Sequence, residues 1–289
     1  MYVTEQGSYV GIKGGRLRVT KNSELLSDAR LIDVAQLCLF GNVQVSAQSL
    51  GDLWSRGVPV LWFSYGGWLR GWATGEPSKY VELRRRQVAV HAQGGHAIAT
   101  ALIAGKIKNT RTLLRRNART EVAKTVAQLG QLGSQAERAD ELLGIEGTAA
   151  RLYFAAFTAM IATAQYPMIA DFDVNGRARR PPPDILNCLL SFCYSLLVKD
   201  LVSTCLGVGL DPFLGVMHRP RFGRPALALD LAEEFRPLIA ESIVINLLNN
   251  GEMHEKHFVR RSQRVALTPD GLHCGPGPTV RLLRNPPSG

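Results

Sequence analysis

A change of period restricts this chain more than any single motif. Residues 75–78 read Gly-Glu-Pro-Ser, and the apolar pattern before them differs from the pattern after them. Ahead stand short apolar runs parted by Gly and Asn, as strands and tight turns require. Behind, apolar residues recur at helical spacing. A glycine and a proline two residues apart favour neither element, so the period changes at a boundary. The expectation is an α+β protein. A small N-terminal β-rich domain spans 1–75, a linker 76–80, and a mostly α-helical domain 81–270. Residues 271–289, rich in Gly, Pro and Arg, suit an irregular tail.

Within the first part, SYVGI and RLRVT flank Lys13-Gly14-Gly15, which predicts a hairpin. LCLF and VQVS break at Gly41-Asn42, and Ser46 is placed to cap a short helix carrying Leu50, Leu53 and Trp54. VPVLWFS and WLRGWAT complete the β-rich stretch. Beyond the boundary, helices are expected to begin near residues 80, 97, 120, 146, 184 and 227. Asp184 is placed to cap the helix from Ile185, and Pro237 predicts a kink in the helix that starts near Ala228.

Charge narrows the function. Lys and Arg number 34 against 24 Asp and Glu, a net of +10, which suits an anionic partner, either nucleic acid or an acidic membrane. The apolar runs from Leu152 and Ile185 fall short of the ~18 residues of a membrane span and read as core helices. MYVTEQGSYV lacks the features of a secretory signal. Five cysteines form no CxxC pair, so a reduced, cytoplasmic setting is expected.

The stretch MHRPRFGRPALALDLAEEFRPL, residues 217–238, gathers the candidate chemistry. His218 precedes an arginine-rich loop. Asp230 and Glu233, three apart, share a helix face, while Glu234 lies about 100° round and reads as solvated. Acids there also suit a first helical turn with no further role. Glu146 heads the most apolar segment, between Gly144 and Gly147, either as an ordinary terminal charge or at a point of close approach. Together a Glu, a His and one or two further acids form a mixed donor set suited to Mn²⁺ or Mg²⁺. His254 and His257 lack the HExxH spacing, and neither a Walker loop, a dinucleotide fingerprint nor a GxSxG elbow is present. Arg177, Arg179, Arg180, Arg219, Arg221 and Arg224 crowd these segments, either as forks for phosphate or as a solvated basic face.

RRPPPDILNCLLSFCYSLL, GLDPFLGVMH and ALALDLAEEFRP, with VPVLWFSYGGWLRGW and YVELRRRQ ahead of them, resemble the CRISPR-associated Cas1 integrases across about residues 1–270. The resemblance implies metal ligands at Glu146, His218 and Glu233, a second catalytic acid beside the site at Asp230, and a basic, DNA-binding position at Arg236. The helical ligand is often Asp in that family and is Glu here. It further implies a metal-dependent DNA endonuclease and integrase, using Mg²⁺ or Mn²⁺, that inserts spacer DNA into a CRISPR array by 3′-hydroxyl attack on a phosphodiester. The implied partners are double-stranded DNA (prespacer and repeat), a second copy of the chain paired through the N-terminal domain, a smaller Cas2 dimer and, in some members, a Cas4 nuclease. Family members usually continue past the equivalent of Asp270 with further helices, where this chain enters its Gly/Pro/Arg stretch. Two other readings stand beside this one. One is a non-catalytic basic helical nucleic-acid-binding protein; the other is a metal nuclease without integrase activity.

Overall fold

The computed structural model describes all residues except 66–68, 76–79, 139–141, 163–168, 179–180, 262–263, 269–270 and 272–289. Most of the expected linker and tail lie outside the described residues, as do Arg179 and Arg180. The fold is α+β, strand-rich first and helical after. Two compact units divide the described residues, one comprising Met1–Gln87 with Val202–Pro212, the other Val88–Leu201 with residues 213–271.

In the first unit, β2 (Tyr9–Lys13) and β3 (Arg16–Lys21) pair antiparallel with Lys13 opposite Arg16. Gly14 and Gly15 form the turn at φ 59° and 71°, the mirror-image geometry that matches strand twist. β3 also pairs with β4 (Glu24–Arg30), which the sequence reading missed. Its Leu25 and Leu26 are adjacent and exposed, so it shows no alternation. The short parallel strand β6 (Gln44–Val45) completes this sheet in the order β4-β3-β2-β6. A second sheet runs β1 (Tyr2–Val3), β5 (Leu37–Phe40), β7 (Val60–Phe63), β8 (Leu69–Ala73). Helix α1 (Ala47–Ser55) begins as expected, with Ser46 Oγ accepting from Ser49 N at 3.0 Å. Val10, Leu17, Leu37, Leu39, Leu53 and Val60 build one core from both sheets and α1. At the unit's edge the Gln87 side chain exchanges two hydrogen bonds with the Asp211 backbone, at 2.7 and 2.9 Å. This pairing joins the start of α2 (Val81–Ala92) to the segment after Val202.

The second unit centres on α3 (His96–Asn117), whose buried Ala99, Ile103, Ile107, Thr110 and Leu114 mark one face. Around it lie α4 (Ala123–Ala136), α5 (Leu142–Ala155), α6 (Asp171–Asn175), α7 (Ile185–Val208), α8 (Ala226–Phe235) and α9 (Ser242–Asn249). Helix α7 starts where expected, with Asp184 Oδ1 accepting from Asn187 N at 2.7 Å. By length and composition α7 is sufficient to cross a membrane, longer than its apolar run implied. Its Ile185, Leu186, Leu189, Leu190 and Cys193 instead pack into the core of this unit.

The expected kink takes a specific form. Pro237 has no N–H to return to the Glu233 carbonyl, and the helix widens into a π turn over Arg236–Glu241. Within the mostly helical stretch the chain also forms a hairpin of β9 (Phe258–Arg261) and β10 (Arg264–Leu267), which the sequence reading did not foresee. In β10 the exposed Arg264 and Ala266 flank the buried Val265, the period-two pattern of a half-covered strand. The four described cysteines are buried thiols.

Leu17 is fully buried where the two sheets and α1 meet. Leu17→Ala should lower unfolding free energy by about 2–5 kcal/mol in urea titration. An unchanged midpoint would show that this core tolerates the cavity.

Candidate active site

The site is built on α3, α5, α8 and the loop before α8. Asp230, in the middle of α8, is fully buried. It accepts the backbone N–H groups of Val216, Met217 and His218 at 2.6, 3.0 and 2.9 Å, and the His218 ring Nδ1 donates to it at 2.7 Å. Burial pushes its carboxyl pKa up, but the His218 ring and these amides outweigh burial and hold it below the usual value. The loop approaches so closely that a Cβ on Gly215 would lie 2.5 Å from Asp230 Oδ2 and 2.7 Å from the Ala226 carbonyl carbon. Asp230 thus fixes where His218 stands and which nitrogen it commits, leaving Nε2 for other chemistry.

One turn further along α8, Glu233 is also buried but faces cations instead of amides. Arg236 Nη1 donates to its Oε1, and Lys106 Nζ lies 2.6 Å from its Oε2. That second approach is an ion pair without a well-aligned hydrogen bond, for Oε2 is buried with no hydrogen-bond partner. Burial raises the Glu233 pKa, but Arg236, Lys106 and His218 together bring it below its usual value. Lys106 Nζ also donates to Glu146 Oε1 from α5, so a single ammonium holds carboxylates from two other helices.

Deeper still, Glu241 at the end of the π turn accepts the hydroxyls of Tyr153 and Tyr194. Burial pushes its carboxyl up, against the tyrosine hydroxyls, Lys106 and Arg236. Burial also pushes both phenols well up, so they act as donors. The Arg236 guanidinium lies over the Tyr194 ring, 4.8 Å from its centroid. Lys106, Glu146, Tyr153, Tyr194, Arg236 and Glu241 line one cleft.

The structure therefore brings Glu146 and Glu233 together through Lys106, and sets His218 on Asp230 near enough to act on the Glu233 charge. Among the described residues, no three His, Cys, Asp or Glu side chains converge closely enough to hold an ion as they stand. The donor types nonetheless fit a divalent cation. Two carboxylates from separate helices already converge on one positive charge, and His218 has its other nitrogen anchored by a carboxylate, as metal-bound histidines do. In this structure the charge the two carboxylates share is the Lys106 ammonium.

Of the arginines, Arg219 and Arg221 are exposed and Arg224 is half-buried, on the loop after His218. Arg236 is instead buried, with its guanidinium on the Glu233 carboxylate. Arg177 donates to Asn187 Oδ1 and the Ala178 carbonyl, both at 2.7 Å, and to Ser191 Oγ at 3.3 Å, so its guanidinium braces local backbone. Glu234, expected to be solvated, is half-buried against α3. A Cβ on Gly105 would meet its Oε1 at 2.9 Å, and Asn109 Nδ2 donates to its carbonyl at 3.1 Å. Lys106, Tyr153, Tyr194 and Glu241 were not singled out from the sequence. Lys106 borders the buried Ile103 and Ile107, and Glu241 is a lone acid in the apolar run PLIAESIVINLL. An ionisable residue in so apolar a setting was the available signal.

The family model described as "CRISPR associated protein Cas1" matches residues 1–274. A Cas4 exonuclease/Cas1 endonuclease fusion of Geobacter sulfurreducens is 39% identical over 279 residues, 93% of this chain and 50% of that protein. The chain therefore spans about half the length of that fusion. A CRISPR-associated endonuclease Cas1 of Thermus thermophilus is 38% identical over 265 residues, 89% of this chain and 76% of that protein. Among solved structures, a Cas1 protein of Thermotoga maritima superposes with a TM-score of 0.75 at 24% identity, covering 98% of this chain and 88% of that one.

The two neighbouring acids of α8 should separate cleanly in stability. Asp230→Ala leaves three amides and a ring N–H without their acceptor. Each buried donor so stranded costs roughly 1–3 kcal/mol, so a loss of about 3 kcal/mol or more is expected in chemical denaturation. Glu234→Ala should stay within about 0.5 kcal/mol. Equal midpoints for the two variants would remove Asp230 from its organising role.

Proposed function

The chain belongs to the Cas1 family of CRISPR-associated proteins, and we propose that it is a metal-dependent DNA endonuclease and integrase that inserts spacer DNA into a CRISPR array. The observation that carries this reading is the convergence of Glu146 and Glu233 on one cation beside His218, whose ring Asp230 orients. In this proposal Glu146, Glu233 and His218 Nε2 hold Mg²⁺ or Mn²⁺, and Lys106 moves aside. When bound, the ion supplies acidification of the attacking hydroxyl and stabilisation of the leaving oxygen. Arg219, Arg221 and Arg224 hold phosphates next to His218, and Arg236 fixes the Glu233 carboxylate. Spacer insertion is attack by a 3′-hydroxyl on a phosphodiester of the repeat; with water as nucleophile, the same residues would cleave DNA.

Further parts of the proposal follow from the family. They are a homodimer, a smaller Cas2 dimer as partner, and work in the cytoplasm. A Cas4-type nuclease partner is supported by the fused Cas4 portion of the Geobacter protein. One observation favours a non-catalytic DNA binder instead: Lys106 already neutralises both carboxylates.

Strand transfer and cleavage in Mn²⁺ and Mg²⁺ separate these readings. Glu146→Ala, His218→Ala and Glu233→Gln should each lower strand transfer by roughly a hundredfold or more, with DNA affinity unchanged. Gln at 233 keeps the shape between Lys106 and Arg236. Full activity in all three variants would sink the metal site, and cleavage without strand transfer in the wild type would leave a nuclease only. Removing Lys106 tests the displacement. Lys106→Met should destabilise the metal-free protein, towards the lower end of the ~3–5 kcal/mol for a broken buried pair because Arg236 remains. Mn²⁺ should then raise its melting temperature more than that of the wild type. A smaller metal-induced shift would mean that Lys106 helps to hold the ion.

Arg219→Ala with Arg221→Ala should weaken binding to all duplexes alike and lower the salt slope by about two. A loss confined to one sequence would reassign these arginines to base reading.

A further inference from the structure

Gly215 solves one problem of the His218 loop and creates another. A Cβ there would lie 2.5 Å from Asp230 Oδ2, so glycine is what lets the backbone reach the buried carboxylate. Glycine also leaves its own dihedrals soft, and the peptide plane between Gly215 and Val216 can turn unless something outside the loop holds it. That plane carries the first of the three amides that Asp230 collects, and the last of them is that of His218 itself.

The hold comes from α2. His91 Nδ1 lies 2.6 Å from the Gly215 carbonyl oxygen, across 124 residues of sequence. A carbonyl only accepts, so Nδ1 carries the proton and donates. The Gly215 carbonyl and the Val216 N–H belong to one planar peptide unit, and in the trans form they point opposite ways. His91 therefore grips the plane at its oxygen while Asp230 grips it at its hydrogen. A donor on the oxygen also polarises the N–H at the other end. The Val216 amide bond to Asp230, at 2.6 Å, is accordingly the shortest of the three, against 3.0 and 2.9 Å for Met217 and His218.

Apolar packing does not account for this contact, because no side chain of α2 is buried. Its attachments are polar, and Gln87 holds the Asp211 backbone one turn before His91 holds Gly215. Just after the helix, Gly94 and Gly95 turn the chain at φ 79° and 54°. A Cβ on Gly95 would lie 2.4 Å from Val216 Cγ1, so this corner is seated on the residue whose amide Asp230 holds.

We infer that His91 is a positioning residue for His218: its ring fixes the Gly215–Val216 peptide, through which Asp230 sets the second histidine in place. It acts through the backbone and away from the reacting atoms. The inference rests on the proposed role of His218 as a ligand to Mg²⁺ or Mn²⁺, and adds that α2 sets the placement of that ligand.

The test uses the full chain and two variants. His91→Leu keeps bulk and removes the donor; His91→Asn puts an amide nitrogen where Nδ1 stands. Without metal, hydrogen exchange at the amides of Val216, Met217 and His218 should quicken about two- to tenfold in the leucine variant, the worth of one hydrogen bond. The asparagine variant should exchange at the wild-type rate. Mn²⁺ affinity, measured by calorimetric titration, should fall at least as far in the leucine variant and recover in the asparagine variant. Duplex DNA affinity and melting temperature should hold in both, since α2 buries no side chain. Wild-type exchange in the leucine variant, or an asparagine variant no better than leucine, would overturn the inference. Faster exchange with unchanged Mn²⁺ affinity would also overturn it, leaving His91 as an anchor for α2 alone. If the wild type binds no Mn²⁺, the metal reading itself fails, while the exchange rates still decide whether His91 positions the loop.

Discussion

One ammonium group allows the centre of the helical unit to exist. Glu146 and Glu233 come from different helices, and both point at Lys106 Nζ. Without it, two carboxylates in a largely water-excluded cleft would face each other, and burial alone would drive one to take up a proton. Burial does raise Glu241, which faces two phenols and has no direct ion pair, whereas Glu233 is held below its usual pKa by Arg236 and Lys106. The contrast arises within nine residues of one helical stretch, and it follows from which partners each acid meets.

That meeting depends on backbone geometry more than on side-chain reach. Gly105 and Gly215 stand where any Cβ would strike Glu234 or Asp230. The π turn is the third element. It absorbs Pro237 and carries both Arg236 and Glu241 into the cleft that Lys106 and Glu146 line. Asp230 and Glu233 then divide two tasks within one turn of α8. Asp230 meets amides and organises the His218 loop; Glu233 meets cations and remains available to exchange one for another.

Much of this was legible in the sequence, and the failures have physical causes. Period and turn residues placed the β2–β3 hairpin, the Ser46 and Asp184 caps, and the helix starts, because local rules govern each of them. Helix geometry put Asp230 and Glu233 on one face, while their inward role came from the resemblance. What escaped depended on contacts between distant segments. Lys106 and Glu146 are forty residues apart in sequence, and nothing at either position specifies the other. Strand β4 shows no alternation, since its leucines lie outward, and β9–β10 was lost inside a pattern read as helical. Nor does composition distinguish a solvated guanidinium from one engaged with Asn187 or Glu233, as those of Arg177 and Arg236 are.

The internal cation also bears on what an ion does for this fold. In structural metal sites the free energy of binding is the free energy of folding, and the metal-free chain collapses. Here the carboxylates are compensated before any ion arrives, by Lys106 on both and Arg236 on one. His218 is likewise oriented by Asp230 and not by a metal bond. On the proposed reading the site is assembled in advance, and an entering ion would exchange with an ammonium instead of recruiting scattered ligands. Such an exchange makes binding weaker than the carboxylates alone would allow, since the ion must offset a lost buried pair. It would also leave the displaced lysine beside the proposed reacting centre, a positive charge suited to a polyanion.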